Sequence, residues 1–433
     1  MKPAAVLLCM ALVGVELYAQ KTQTESIDLP AVMRLAGAQA PDIALAEARL
    51  EEARANEAGS LWQFFPTLTP GIGYRAHDGR LQDIAGTLLN VEKQSLNAGA
   101  AMGLHLEIGE AIYRRLAAQQ QVRAAAEQLA AQRQQTLLHA VQTYFDLSRA
   151  EQTVRLHEES LKIAREFSTQ ISRGVQAGLA FKGDELRATA QITRLELRLS
   201  QAKERRRHEG TRLAQLLALR PTIELLPVDD RPLPLQFTKR DLTLDEHVQS
   251  ALAKRPELAG LAALTSAAQH ADDGASYAPL YPILDAQYFA GGQGGSMSSS
   301  RAGFANSAVT SVSLGWKIGA GGLFDTSRQN LARARLTQSQ LNEKKMSDEV
   351  VRQVVDAYTS VQLLTQQVSL AAEGIRTGEQ GVKLALGRKE WAVGVVLEAL
   401  QTQQDLIQAK LDYADSVADF NKAQFQLKTA AAQ

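Results

Sequence analysis

Apolar residues recur along this chain with two different periods. Val354, Val361, Val368, Ile375 and Val382 fall seven apart, with Tyr358, Thr365 and Ala372 at offsets of four. Leu147, Val154 and Leu161 form a matching stripe earlier in the chain, with Tyr144 beside it. A sustained seven-residue period predicts helices that supercoil around neighbours. At about 1.5 Å per residue, a helix of roughly 60 residues spans about 90 Å. Elsewhere the period is two. Met102, Leu104, Leu106 and Ile108 alternate with Gly103, His105 and Glu107, and Val312, Leu314, Trp316 and Ile318 alternate with Ser313, Gly315 and Lys317. This alternation predicts strands with one apolar face. The strands that lead into them are less regular: Leu68, Ile72 and Tyr74 in one case, Leu284, Ala286, Tyr288 and Ala290 in the other. Residues 75–98 and 291–307 are polar or Gly/Ser-rich and predict exposed loops.

The pattern occurs twice. Pro41-Asp42-Ile43-Ala44 answers Pro256-Glu257-Leu258-Ala259, and Phe65-Pro66-Thr67-Leu68 answers Tyr281-Pro282-Ile283-Leu284. Leu104 to Gly109 answers Leu314 to Gly319, and Val141-Gln142-Thr143-Tyr144 answers Val355-Asp356-Ala357-Tyr358. Two similar halves are expected, residues 20–220 and 241–433, each helix, strand, loop, strand and long helix. The Pro-rich stretch 221–240 reads as an extended connector. Proline is otherwise absent from 71–220 and from 283–433, as uninterrupted helices require. Each helical stretch is broken once, around Gly174 and Gly178 and again around Gly387 and Gly394, so each is expected to fold back as a hairpin. Two tips would then sit at the end opposite the strands.

Composition narrows the class. With 433 residues, 45% of them apolar, the chain can bury a large core. Lys plus Arg and Asp plus Glu both number 47, so the basic footprint needed for nucleic acid is missing. Met1-Lys2 followed by the apolar run Ala4 to Val15 reads as a signal peptide over residues 1–19, cleaved after Ala19. The only cysteine, Cys9, lies within it. Outside it no run of about 18 apolar residues exists, so a membrane would be crossed by strands. Trp62, Phe64, Phe65, Tyr74, Tyr277, Tyr281, Tyr288 and Phe289 gather around the strand starts, as the interface girdle of a transmembrane barrel would.

Catalytic patterns are absent. The seven histidines show no metal-ligand spacing, and no Gly-Lys-Ser/Thr follows Gly319-Ala320-Gly321-Gly322. Neither an enzyme, a cofactor nor a bound metal is expected. Lys203-Glu204-Arg205-Arg206-Arg207 reads as a solvated helix face. Four strands cannot close into a barrel, and hydrocarbon does not tolerate an open edge. Two chains would supply eight strands and three would supply twelve, with room for a channel.

The duplicated Ala-rich helices opening at Pro41-Asp42 and Pro256-Glu257 resemble the TolC-type outer-membrane efflux proteins. So do the strand starts at Pro66 and Pro282, the Val312 to Gly322 segment, and the tips with Gly178 and Leu186 or Gly394 and Leu400. The resemblance covers the whole mature chain. It implies a mainly α fold with transmembrane β: a homotrimer whose strands form a 12-stranded barrel in outer-membrane lipid, with duplicated coiled-coil hairpins as a periplasmic tunnel. The tunnel would dock on a periplasmic adaptor fed by an inner-membrane pump, in efflux or type I secretion, without chemistry. By the same resemblance Ala177, Gly178 and Leu179, with Val393, Gly394 and Val395, are docking tips. Glu398 is a candidate periplasmic gate, and Gln401 stands where family members often carry a second acid. The competing reading is a periplasmic or secreted coiled-coil protein without a pore.

Overall fold

A computed structural model describes residues 24–228, 233–238, 242–297, 303–390 and 396–433. The leader and Cys9 lie outside the described residues, as do Val393, Gly394 and Val395. In order, the elements are β1 (Thr24–Ile27), α1 (Leu29–Gln39), α2 (Pro41–Trp62), β2 (Thr67–Gln82) and β3 (Leu88–Glu107). Then follow α3 (Ile108–Gln176), α4 (Lys182–Leu216), β4 (Glu224–Pro227), α5 (Leu244–Lys254) and α6 (Pro256–Tyr277). The chain ends with β5 (Ile283–Met297), β6 (Gly303–Gly315), α7 (Thr326–Glu390) and α8 (Val396–Ala430). It divides into two compact units, one drawn from residues up to 35, 140–233 and 370–418, the other from 36–139, 234–369 and 419–433.

In the first unit the heptad stripe does what its spacing demands. Tyr144, Leu147, Val154 and Leu161 are all buried. Leu161, Ala164 and Phe167 of α3 pack with Leu195 of α4, Ala385 of α7 and Ala399 and Leu400 of α8. Small residues set the helix spacing: a Cβ added to Gly378 on α7 would stand 3.2 Å from the Leu406 backbone of α8. β1 and β4 pair in parallel, Thr24 opposite Glu224 through Ile27 opposite Pro227, so the connector is partly a strand. The basic cluster does more than face solvent. Arg206 reaches Glu151 on α3 at 3.2 Å and Glu224 on β4 at 2.6 Å, and Lys203 reaches Glu158 at 2.8 Å. Arg206 is only about one-fifth exposed, because α3 and β4 cover the helix face that carries it. The expectation of a solvated face holds for Arg205, not for Arg206.

The second unit contains the four-stranded sheet with α2, α5 and α6. Thr243 and Glu246 form a reciprocal capping box at the start of α5, which fixes where that helix begins. Pro at the first position of α2 and of α6 suits a helix start, where the missing N–H would have had no partner. Ala251, Val350, Val354, Ala357, Leu427 and Ala430 form a buried cluster. The extended stretch after Pro234 lies along α8, with Leu235 N donating to Asn421 Oδ1 at 2.7 Å and Phe237 stacked edge-on against Phe425.

The sheet has four antiparallel strands in the order β2-β3-β5-β6. Its strands run further than the alternation predicts. Most of 75–98 is strand, with only residues 83–87 between β2 and β3, and 291–297 and 303–307 are strand as well. Apolar residues such as Leu81, Leu89, Val91, Leu96 and Phe304 fall on either face of these outer portions among polar residues and glycines, so the period-two signal disappears while the backbone ladder continues. The strands also stop earlier at the helical side. Ile108 opens α3 rather than closing β3, and β6 ends at Gly315, before Trp316 and Ile318. There Trp316 Nε1 donates to Leu280 O at 3.1 Å, and the chain turns through Gly319 and Gly321 at φ of 99° and 74°.

Candidate functional site

Residues directly opposite in an antiparallel register share a face, so the pairing sorts the sheet without ambiguity. One face holds the rows Leu68-Met102-Tyr288-Thr310, Ile72-Ala98-Gly292-Asn306, Tyr74-Leu96-Gly294-Phe304 and Leu104-Ala286-Val312. Leu68, Ile72, Tyr74, Phe304, Val312 and Leu314 are all more than half exposed, an apolar surface that nothing in the chain covers. The other face holds Gly103-Gln287-Ser311, Gly71-Gly99-Gly291-Ser307, Gly73-Asn97-Gln293-Ala305 and His105-Asp285-Ser313. A Cβ on Gly99 or Gly291 would lie 2.4 or 2.3 Å from a neighbouring carbonyl oxygen, so these strands approach as closely as only glycine permits. Apolar outside and polar inside is the pattern of a transmembrane barrel wall. β2 and β6 are both edge strands, and Pro70 is tolerated in β2 for that reason.

The first tip is a helix C-terminus closed by glycine. Leu179 N donates to Gly174 O at 2.8 Å and Gly178 N to Val175 O at 3.0 Å, the paired bonds of a Schellman turn. Gly178 takes the left-handed position at φ 72° with open space around it. Beyond it, Leu179 and Phe181 are exposed, 86% and 79%, and Leu186 is exposed too. Phe181 escaped the sequence reading; its signal was an aromatic residue just before a run of Asp and Glu at a helix start. Glu185 closes the turn by accepting from Ser172 Oγ at 2.9 Å and pairing with Lys182. Those two bonds hold its carboxyl below the usual range.

Glu398 lies in the first turn of α8, where the helix dipole favours a carboxylate. Gln401 is exposed and donates to Asp405 Oδ1 at 3.0 Å, and Gln408 does the same to Asp412 at 2.8 Å. Glu398, Asp405 and Asp412 fall seven apart and so share one face of α8. The seven-residue spacing of the three carboxylates is visible in the sequence itself.

Of the eight aromatics, Trp62 and Phe65 stand together with ring centroids 5.7 Å apart, at the junction of α2 and β2. Tyr277 and Tyr281 flank the short turn into β5. Tyr74 and Tyr288 lie on the apolar face. Phe289 falls on the other face, opposite Ala101 and Val309, because it neighbours Tyr288 in a strand. Phe64 is half-buried. Among the described residues no helix is long and apolar enough to cross a membrane, and no group of three His, Cys, Asp or Glu is placed to hold a metal.

A four-stranded sheet with a bare apolar face, carried on two long helical hairpins, defines the class of outer-membrane channel proteins. A family model for outer membrane efflux proteins matches residues 32–219 and 247–433, and the chain belongs to that family. Solved structures share the fold at low identity. A membrane protein from Pseudomonas aeruginosa is 19% identical with a TM-score of 0.80, covering 93% of each chain. The outer membrane protein VceC from Vibrio cholerae is 16% identical with a TM-score of 0.77, covering 93% of this chain and 95% of its own. The MtrE outer membrane channel from Neisseria gonorrhoeae is 18% identical with a TM-score of 0.73, covering 93% and 88%. Comparison with curated protein sequences gave no match. The protein is therefore a passive efflux channel of the Gram-negative outer membrane that extends into the periplasm, not an enzyme, and the reading without a pore is not favoured. Family membership implies work with a periplasmic adaptor and an inner-membrane pump.

Proposed function

We propose that three copies of this chain close their sheets edge to edge into one 12-stranded barrel in outer-membrane lipid, so that the duct is a homotrimer. The observation that carries this is the sheet itself: two unpaired edges and an uncovered apolar face in a single chain. Neither is tolerable in hydrocarbon unless neighbouring copies supply the missing bonds. Leu363, Leu370 and Leu384, exposed on α7 at multiples of seven, support contact between copies along the helices too. Each chain is a duplicated unit, 20–220 and 241–433, joined by the connector 221–240. Cross-linking of detergent-extracted protein should give trimers; recovery of a soluble periplasmic monomer would overturn the duct.

Ala177, Gly178 and Leu179, with the exposed Phe181, form the adaptor-docking tip of the first hairpin, and Val393, Gly394 and Val395 that of the second. Glu replacing both Gly178 and Gly394 should abolish adaptor capture while trimers persist; unchanged capture removes the assignment. Glu398 narrows the periplasmic end. Gln401 is not acidic, and Asp405, which it holds, supplies the second carboxylate. Glu398→Ala should lower cation preference in planar bilayers, and an unchanged preference would end the gate reading.

A further inference from the structure

Charge on the inner face of the sheet is segregated by sign along the strands. At the helical end Asp285 lies opposite His105 and Glu107 lies in the next row of the same face, with His105 Nδ1 2.6 Å from Asp285 Oδ1 and His105 Nε2 3.9 Å from Glu107. At the far end the same face carries Arg75, opposite Ser95, and Lys93, opposite His77. Asp78, Arg80 and Glu92 fall on the other face. Between the two groups the described inner rows are uncharged: Gly103-Gln287-Ser311, Ala101-Phe289-Val309, Gly99-Gly291-Ser307 and Asn97-Gln293-Ala305.

From the pairing we propose that the barrel is a bipolar pore: an acidic ring of Glu107 and Asp285 at its periplasmic mouth and a basic ring of Arg75 and Lys93 at its outer mouth set which ions pass and make the current rectify. The inference rests on the trimeric barrel proposed above. Near the acidic ring, Glu110 is neutralised by Arg328, and Lys317 lines the same small cavity as Glu107. Each chain therefore brings two positive charges to the outer ring and, to the inner one, a net single negative charge with His105 neutral and none with His105 protonated against Asp285. Three copies triple both. Twelve residues of β3 separate His105 from Lys93, about 40 Å along the strand. The Debye length is about 8 Å at physiological ionic strength, so the rings act as independent filters in series. Rings of charged side chains select by sign. An anion meets repulsion at the inner mouth and a cation at the outer one. A neutral or zwitterionic solute meets the smallest barrier over the whole wall.

The test uses full-length trimers in planar bilayers at about pH 9, where imidazole is neutral and Lys and Arg remain charged. In a salt gradient at low ionic strength, Glu107→Gln with Asp285→Asn should shift the reversal potential towards anion preference. Arg75→Gln with Lys93→Gln should shift it towards cation preference. The quadruple variant should lose the wild-type asymmetry between equal and opposite voltages. All differences should shrink at about 1 M salt, where the Debye length is about 3 Å. Wild-type reversal potentials in both double variants would overturn the bipolar pore while leaving the duct intact. Failure of the wild-type chain to form trimers would instead overturn the barrel on which it rests.

Discussion

The two halves of the chain match in their helices and differ in their strands. α1 and α5 are both 11 residues, α2 and α6 both 22, α4 and α8 both 35, and α3 and α7 are 69 and 65. β2 and β3 have 16 and 20 residues, whereas β5 and β6 have 15 and 13. β3 passes directly into α3 at Ile108, but residues 316–325 form a loop between β6 and α7. The difference shows which lengths are constrained. Helices that pack by heptads must keep their partners in step, because an insertion rotates every apolar residue off the seam. A strand needs only about 9–11 residues to cross hydrocarbon, and the rest can lengthen freely in water.

The comparison can be broken at matched positions. Leu147 is fully buried and its repeat mate Val361 only partly so. Leu147→Ala should cost about 3 kcal/mol and Val361→Ala about 1 or less, read from denaturant midpoints. Equal losses would mean the halves bear load alike. Arg206 takes the place on α4 that Phe420 takes on α8. Arg206→Met should cost about 2 kcal/mol, below the range for a wholly buried pair, because it leaves Glu151 and Glu224 unpartnered by it in a partly exposed site. A melting temperature unchanged in Arg206→Met would show that the apolar stem supplies its contribution. Gly178→Val puts a β-branched residue at positive φ and should cost about 1–2 kcal/mol at that tip, measured as faster local hydrogen exchange. The smallest effect concerns Glu349, where the first repeat has Gln135. Arg352 first, then Gln353, lowers its carboxyl from 4.5 to about 2. The folded value is depressed, so its contribution is complete above pH 4.5 and lost as pH falls through about 2. Wild type and Glu349→Gln should therefore differ in melting temperature above pH 4.5 and converge as pH falls from there through about 2.

Much of this architecture is written in local periodicity. Leu147 to Leu161 mark a buried helix face, Val354 to Val382 mark one that is buried at Val354 and half-buried beyond it, and Gly178 marks its turn. Residues whose partners lie far away are less legible. Thr24–Ile27 and Glu224–Pro227 are four-residue strands with little alternation, and only their pairing makes them strands. Arg206 looks like one more surface arginine until Glu151 and Glu224 arrive from other elements. The sign segregation on the pore wall is invisible without register, since neighbours in sequence such as Glu92 and Lys93 point to opposite faces.

The parallel pairing of β1 with β4 also orders events in time. Thr24 and Glu224 are 200 residues apart in the chain. Closing a loop of that size costs about 5 kcal/mol of chain entropy, about what four ladder bonds at roughly 1 kcal/mol each return, so the pair is held by its surroundings as much as by its own bonds. The pair cannot form before Glu224 has been made, and in the folded chain its ends are held together by the packed helices between them. A chain that emerges N-terminus first carries β1 as an unpaired edge until its midpoint has been delivered. The first strand of the chain is thus held without its ladder partner while the whole first helical hairpin is made, and its edge is open throughout that interval.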